Sequence, residues 1–172
     1  MYNTNRAREI LTDIQSCFQE AGLPLMREKE ELFAEIEADH LTFWSWAKFN
    51  SELFHISASF YPVRQIVKLS MGSGKRYSNE LWPGLCELFN YIHFAQILNY
   101  FVLCPHTGRI RYRAVMLVVS KSLDRDQFHQ FLQSFLSNGS RFYTLIDKHL
   151  NTNRAPIYLI KEFMENNPNH WM

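Results

Sequence analysis

The segment Gly72-Ser73-Gly74-Lys75 has the residue types of a phosphate-binding loop, in which backbone N–H groups and a lysine surround phosphate oxygens. That motif also requires a glycine five residues before its last glycine and a serine or threonine directly after the lysine. Leu69 and Arg76 occupy those two positions in this chain. We therefore expect an ordinary connection between a strand and a helix here, with no nucleotide cofactor.

The histidines, cysteines and serines show no spacing typical of a catalytic or metal site. No two of the seven histidines are four residues apart, as in a helical zinc site, and none belongs to a His-Glu-x-x-His motif. The chain also lacks a Gly-x-Ser-x-Gly turn, which would expose a nucleophilic serine. The sequence thus predicts a protein that is not an enzyme, without catalytic residues, metal or cofactor.

Three arginines alternate along one predicted strand and would project from a single face of a sheet. These are Arg109, Arg111 and Arg113, while Ile110 and Tyr112 would project from the opposite face. Two interpretations remain open. The cations could contact an acidic peptide, a phosphate backbone or the carboxylates of a partner subunit, or they could lie on a solvated face with salt bridges to acidic neighbours.

Two tryptophans share one face of another predicted strand. Trp44 and Trp46 alternate with Phe43 and Ala47, so both faces of this strand carry apolar groups. A sheet that is covered by helices on one side only leaves two outward tryptophans without a contact. The C-terminal segment, a second subunit or a bound peptide could cover them, and tryptophan is enriched at the centres of protein interfaces.

The elements that position these residues follow from changes in hydrophobic period. A first helix is predicted over residues 5–21, ended by Gly22. Residues 32–36, 41–49, 53–61 and 65–69 are rich in β-forming residues and predict three or four antiparallel strands. Ser78 or Asn79 is expected to cap a second helix, with Pro83 in its first turn.

The second half of the chain predicts a hairpin and further helices. Residues 98–104 and 109–119 flank a Pro-His-Thr-Gly turn in which Gly108 supplies a positive φ. Asp124, with Gln127 three residues later, indicates the start of a third helix, which Gly139 either breaks or bends. Residues 156–165 could form a short final helix, followed by a loose tail.

This order of elements predicts an α+β domain in which an antiparallel β-sheet is packed with helices in the order α-βββ-α-ββ-α. Residues 1–152 form the domain, and residues 153–172 form a C-terminal extension with a short helix and a loose tail. A chain of 172 residues that is 47% hydrophobic is sufficient for one continuous core.

Charge and cysteine content restrict the partners and the location. Eighteen basic and 17 acidic residues leave a net charge of +1, so no global field attracts nucleic acid or an anionic membrane. Three distant cysteines without a Cys-x-x-Cys pair indicate reduced thiols, as small buried hydrophobic residues of a cytoplasmic protein. We find no signal peptide and no apolar run of about 18 residues, and we expect no membrane contact.

The segments "LNYFVLCPHTGRIRYRAVMLVV" and "SLDRDQFHQFLQSFL" resemble the core of the YbjN family, whose members are similar in fold to type III secretion chaperones. The likeness extends over roughly residues 78–150 and is carried by residues 101–103, 108, 110–113 and 123–127. It implies an α+β domain that is commonly dimeric, has no catalytic residues and acts as a chaperone or regulator.

Together these features predict a cytoplasmic protein- or peptide-binding module that forms a homodimer. Trp44 and Trp46 would anchor a segment of another protein, and Arg109, Arg111 and Arg113 would orient its acidic groups. The alternative is a regulator that binds a small ligand or nucleic acid through the arginine face, although the charge balance does not favour nucleic acid.

Overall fold

The structure is a computed structural model that describes residues 4–24, 40–96, 99–119, 122–152 and 154–166. These ranges contain α1 (Thr4–Glu20), β1 (Leu41–Phe49), β2 (Glu52–Tyr61), β3 (Ile66–Ser73), α2 (Trp82–Ala95), β4 (Asn99–Cys104), β5 (Arg109–Leu117), α3 (Arg125–Thr152) and α4 (Pro156–Asn166). The predicted α+β class and order of elements are confirmed, with α4 added at the end. The strand predicted over residues 32–36 lies outside the described residues.

The end of α1 and the start of α3 agree with the sequence-based prediction, whereas the start of α2 does not. Gly22 takes a φ of 74° just after α1, and the N–H of Gln127 donates to Oδ1 of Asp124 at 3.0 Å to cap α3. The predicted cap of α2 at Ser78 or Asn79 is wrong. The chain first makes a 3-10 turn over Asn79–Leu81, and α2 then begins without a side-chain cap, with Pro83 in its first turn.

All five strands are antiparallel and lie in the order β1-β2-β3-β5-β4. The predicted hairpin joins β4 to β5, and Gly108 takes a φ of 63° in its turn. A Cβ atom at this position would lie 2.6 Å from the carbonyl oxygen of Tyr77. Glycine is therefore required here both for its backbone conformation and for the close approach of the segment before α2.

The helices pack on one face of the sheet, which we call the inner face. The side chains of Phe18 on α1 and Phe43 on β1 meet with ring centroids 4.7 Å apart, and Phe89 on α2 stacks on Phe101 of β4 at 4.8 Å. The opposite, outer face carries the alternate residues of every strand. In the described ranges, no helix combines the length and apolarity needed to cross a membrane.

The final helix, α4, belongs to the same layer as the other helices. It packs against α2 and α3, it buries Leu159 and Ile160, and Phe163 contacts Phe142 of α3 with ring centroids 5.4 Å apart. Residues 154–166 therefore lie on the helical side and do not cover the outward tryptophans of β1.

The long helix α3 crosses the inner face closest at Gly139, which neither ends nor interrupts the helix. A Cβ atom at Gly139 would lie 2.5 Å from Cε of Met71 on β3 and 2.9 Å from Cδ1 of Tyr112 on β5. One turn later the hydroxyl of Tyr143 shares its proton between the carbonyl oxygens of Met71 and Ile110, at 3.1 and 3.0 Å. This pair of contacts fixes α3 across the two central strands.

We predict that Gly139→Ala destabilises the protein although alanine is the better helix former. Alanine would gain about 1 kcal/mol of helix propensity, but the ring of Tyr112 is fully buried and cannot move away, and overpacking costs about 1–3 kcal/mol. The expected lower urea midpoint can be compared with that of Ser137→Ala, at an exposed position of the same helix. A midpoint raised equally by both variants would contradict this account of Gly139.

Candidate functional site

The five residues selected from the sequence all lie on the outer face of the sheet. Cross-strand pairing places Trp44 of β1 beside Ser57 of β2, Ser57 beside Ser70 of β3, and Ser70 beside Arg113 of β5. Because neighbouring strands are about 4.8 Å apart, the Cα atoms of Trp44 and Arg113 are separated by about 14 Å. The tryptophans and the arginines thus form two parallel rows with β2 and β3 between them.

The two tryptophans differ in their surroundings. The side chain of Trp44 is 37% exposed. Trp46 is half-buried, and its indole rests on the imidazole of its cross-strand neighbour His55, with ring centroids 3.4 Å apart and a tilt of 47°. The tryptophan row therefore contains one exposed indole, that of Trp44, and one indole, that of Trp46, that already packs against a neighbouring ring.

Small residues occupy the space between the two rows, and we call this strip the serine floor. It consists of Ser57, Ser59, Ser70 and Gly72, all of them buried. The hydroxyl of Ser59 bonds to that of Thr42 at 2.8 Å, whereas Oγ of Ser70 has no hydrogen-bond partner. Since larger side chains flank the floor on both sides, it lies lower than the two rows.

The predicted alternation of the arginine strand is confirmed, because Ile110 and Tyr112 are buried in the core. None of the three arginines forms an ion pair with a carboxylate of the described residues. The Nε atoms of Arg109 and Arg113 are buried without a hydrogen-bond partner. The salt bridges expected for an ordinary solvated face are therefore not found in this part of the chain.

The sheet itself carries a strong charge asymmetry. Glu52, at the start of β2, is the only carboxylate within the five strands, and it is bound to Lys75. The outward positions carry five cations, which are Lys48, Lys68, Arg109, Arg111 and Arg113. A chain with almost no net charge therefore has a locally basic surface, which its overall composition does not reveal.

His55 lies between the tryptophan and the arginine rows. Burial and the guanidinium groups of Arg111 and Arg109 lower the pKa of its imidazole below the ordinary value of 6.5. The side chain of Arg111 lies over β3 on the side towards His55, because Gly72, the cross-strand neighbour of His55, has no side chain. A Cβ atom at Gly72 would lie 3.4 Å from Cγ and 3.7 Å from Nη1 of Arg111.

The glycine-rich segment that resembles a phosphate loop has a structural role. Gly72 and Ser73 belong to β3, and the ammonium of Lys75 donates to Glu52 at 2.9 Å and to Asp147 of α3 at 3.1 Å. Burial alone would lower the pKa of Lys75, but the hydrogen bonds to these two carboxylates outweigh it and raise the pKa. The lysine links the sheet to α3.

The other histidines and the cysteines offer no reactive constellation in the ranges that the structure describes, where no three metal-binding side chains meet. Nε2 of His93 accepts the N–H of Phe101 at 2.6 Å, and burial lowers the pKa of this imidazole, which is consistent with a neutral acceptor. The expectation of three buried cysteines holds only for Cys17. Cys86 is exposed and Cys104 is half-buried, since both lie at the surface of their elements.

A cavity of about 260 Å³ lies between α3 and α4 on the helical side. One of its two cations is paired, whereas Arg141 forms no ion pair with a carboxylate of the described residues and its Nη1 atom is buried without a hydrogen-bond partner. Glu162 binds Lys148 at 2.5 Å and Arg154 at 2.7 Å, and together these hydrogen bonds lower the pKa of its carboxyl group. This cavity therefore has one cation without a carboxylate partner in the described residues, fewer than the three arginines of the outer face.

No family model, curated protein or solved structure matches this chain. The function is therefore inferred from the outer face itself. Sequence reasoning missed three of its residues, His55, Ser70 and Gly72. Because alternate residues of a strand share a face, the sequence could have placed these three residues on one face of the sheet. Their position beside Arg111 and Arg113 follows only from the strand order.

We predict that Arg111→Gln raises the pKa of His55 towards 6.5, because it removes a positive charge that disfavours the imidazolium. The pKa can be read from the imidazole resonance in NMR spectra, assigned by its loss in His55→Gln. Arg113→Gln removes the same charge two residues further along β5, beside Ser70, and should change the pKa of His55 less. Equal changes in both variants would contradict the placement of Arg111 over Gly72.

Proposed function

We propose that this chain is a non-catalytic protein- or peptide-binding module with a chaperone-like or regulatory role, and that it acts as a homodimer in the cytoplasm. The resemblance of residues 78–150 to the YbjN family is one support for this proposal. The observation that carries it is the outer face, where exposed and half-buried indoles stand opposite cations that have no carboxylate partner in the described ranges.

The proposed mechanism is the burial of an extended or helical partner segment over the serine floor. Trp44 and Trp46 would contact its apolar side chains, since tryptophan loses little conformational entropy for the area it buries. Arg111 and Arg113 would orient its acidic groups through charge-assisted hydrogen bonds. The free state of all three cysteines is consistent with the cytoplasmic location.

The second candidate is a regulator that binds a small ligand or nucleic acid through Arg109, Arg111 and Arg113. The same lack of carboxylate partners supports it, because a phosphate would also satisfy these guanidinium groups. Binding dominated by phosphates weakens steeply with salt, whereas apolar contacts with the tryptophans do not. Salt dependence therefore distinguishes the two candidates.

We predict that the double variant Trp44→Ala/Trp46→Ala binds a permanently unfolded, carboxymethylated client protein about tenfold more weakly or worse, as expected for the loss of interface anchors. Fluorescence anisotropy of the labelled client gives the affinity, and circular dichroism checks that the variant is folded. The matched control is Phe94→Ala/Tyr158→Ala, which removes two exposed aromatic rings from the helical side. Unchanged binding in a folded tryptophan variant would refute the proposal.

We predict that light scattering on size-exclusion fractions gives a mass near 41 kDa, twice the 20.5 kDa of one chain, at several concentrations. The tryptophan double variant should keep this mass, because two copies that paired through the outer face would oppose surfaces of like charge. A monomer would contradict the homodimer. A dimer that dissociates in the double variant would identify the outer face as the dimer interface instead.

A further inference from the structure

A cluster of two arginines and one histidine lies on the outer face and extends from β5 across β3 to β2. Its members are His55, Arg109 and Arg111, with Gly72 beneath the side chain of Arg111. Trp46 rests on the other side of His55, so the cluster directly adjoins the tryptophan row. Charged groups of one sign are thus collected beside an aromatic surface.

Nothing among the described residues neutralises this cluster. The five strands contain a single carboxylate, Glu52, which is occupied by Lys75. The elements that face His55 contribute Trp46 from β1, Gly72 from β3, and Arg109 and Arg111 from β5, and none of these is an acid. Among the described residues, the like charges of Arg109 and Arg111 are therefore left without a carboxylate partner.

Buried polar atoms on the same surface also lack partners. The Oγ atom of Ser70, a residue only 6% exposed, makes no hydrogen bond, and neither does Nε of Arg109 or of Arg113. Buried donors are almost always satisfied in folded proteins, because leaving one unpaired costs about 1–3 kcal/mol. An entering acceptor that moves the covering side chains could satisfy them.

We propose that His55, Arg109 and Arg111 form a carboxylate-binding subsite for an aspartate or glutamate of a bound extended peptide. This inference rests on the proposed peptide-binding function and specifies the partner as an acidic segment. The guanidinium fork of arginine matches a planar carboxylate in two parallel hydrogen bonds. Phosphate sites instead favour backbone N–H groups of loops and helix ends, and the N–H groups of this sheet are used by its ladders.

The geometry also defines the spacing of the partner's residues. Arg111 crosses β3 towards His55, and Trp46 lies on that same histidine, so the guanidinium and indole groups are separated by about one to two strand spacings. In an extended peptide, residues i and i+2 lie on the same face about 6.7 Å apart. The partner therefore carries an acidic residue two positions from an apolar one.

The test uses the full chain and a short labelled peptide in which glutamate and leucine alternate at every second position, with threonine between them. A matched peptide has glutamine in place of glutamate. Anisotropy should show that the glutamate peptide binds about tenfold more tightly than the glutamine peptide, and that Arg111→Gln and Arg109→Gln each reduce glutamate-peptide affinity by a comparable factor. Arg111→Lys, which keeps the charge but loses the fork, should give an intermediate loss.

The matched control is Arg64→Gln, which removes the same charge from the exposed turn between β2 and β3, at the other end of these strands from His55. It should change the affinity by less than about twofold, since exposed charges at this distance are screened by salt. Equal losses for Arg64→Gln and Arg111→Gln would overturn the subsite in favour of general charge attraction. Circular dichroism and urea unfolding confirm that each variant is folded.

Failure of this inference can be distinguished from failure of the proposed function. If both peptides bind equally and Arg111→Gln has no effect, the carboxylate subsite is overturned, while loss of client binding in the tryptophan variant still supports the binding module. If neither peptide binds, the subsite is likewise overturned. The carboxylate subsite would also be overturned if a single-stranded oligonucleotide displaced the glutamate peptide and bound more tightly than the peptide. That result would identify the cluster as a phosphate-binding site.

Discussion

The close approach of α3 to β3 and β5 at Gly139 is the contact on which the rest of the structure depends. Any larger residue would meet Met71 and the buried ring of Tyr112, so glycine at this position lets α3 lie directly on β3 and β5. Tyr143 then joins the same strands through its hydroxyl proton. With α1, α2 and α4 packed beside α3, most large apolar side chains of the inner face are buried, and Phe49, Leu103 and Met116 are partly buried against the same core.

Burial of the inner face determines which side chains the outer face carries. Because strand residues alternate between faces, burying Ile110 and Tyr112 turns all three arginines outwards, and burying Phe43 turns both tryptophans outwards. The outer face thereby concentrates five cations and two indoles in a chain with almost no net charge. Small residues on β2 and β3 separate the two rows, and Gly72 leaves room for the side chain of Arg111 to lie over β3 towards His55. We propose an acidic partner segment as the common explanation of these features.

The sequence predicted the parts of this arrangement that depend on local pattern. Alternation along β5 identified the arginine row, the Pro-His-Thr-Gly turn identified the hairpin, and Asp124 identified the start of α3. It did not predict that β5 lies beside β3, which is a non-local pairing that brings Arg111 to Gly72 and His55. The prediction that Ser78 caps α2 was wrong, because a 3-10 turn over Asn79–Leu81 separates Ser78 from the start of α2.

The most direct test of the account is to locate the bound segment by amide and indole NMR spectra of the labelled full chain, titrated with the peptide that alternates glutamate and leucine. The account predicts that shifts are confined to the outer face, with the indole signals of Trp44 and Trp46 and the signals of His55 and Arg111 moving together. Shifts centred on the cavity between α3 and α4, at Lys148 and Glu162, would contradict it.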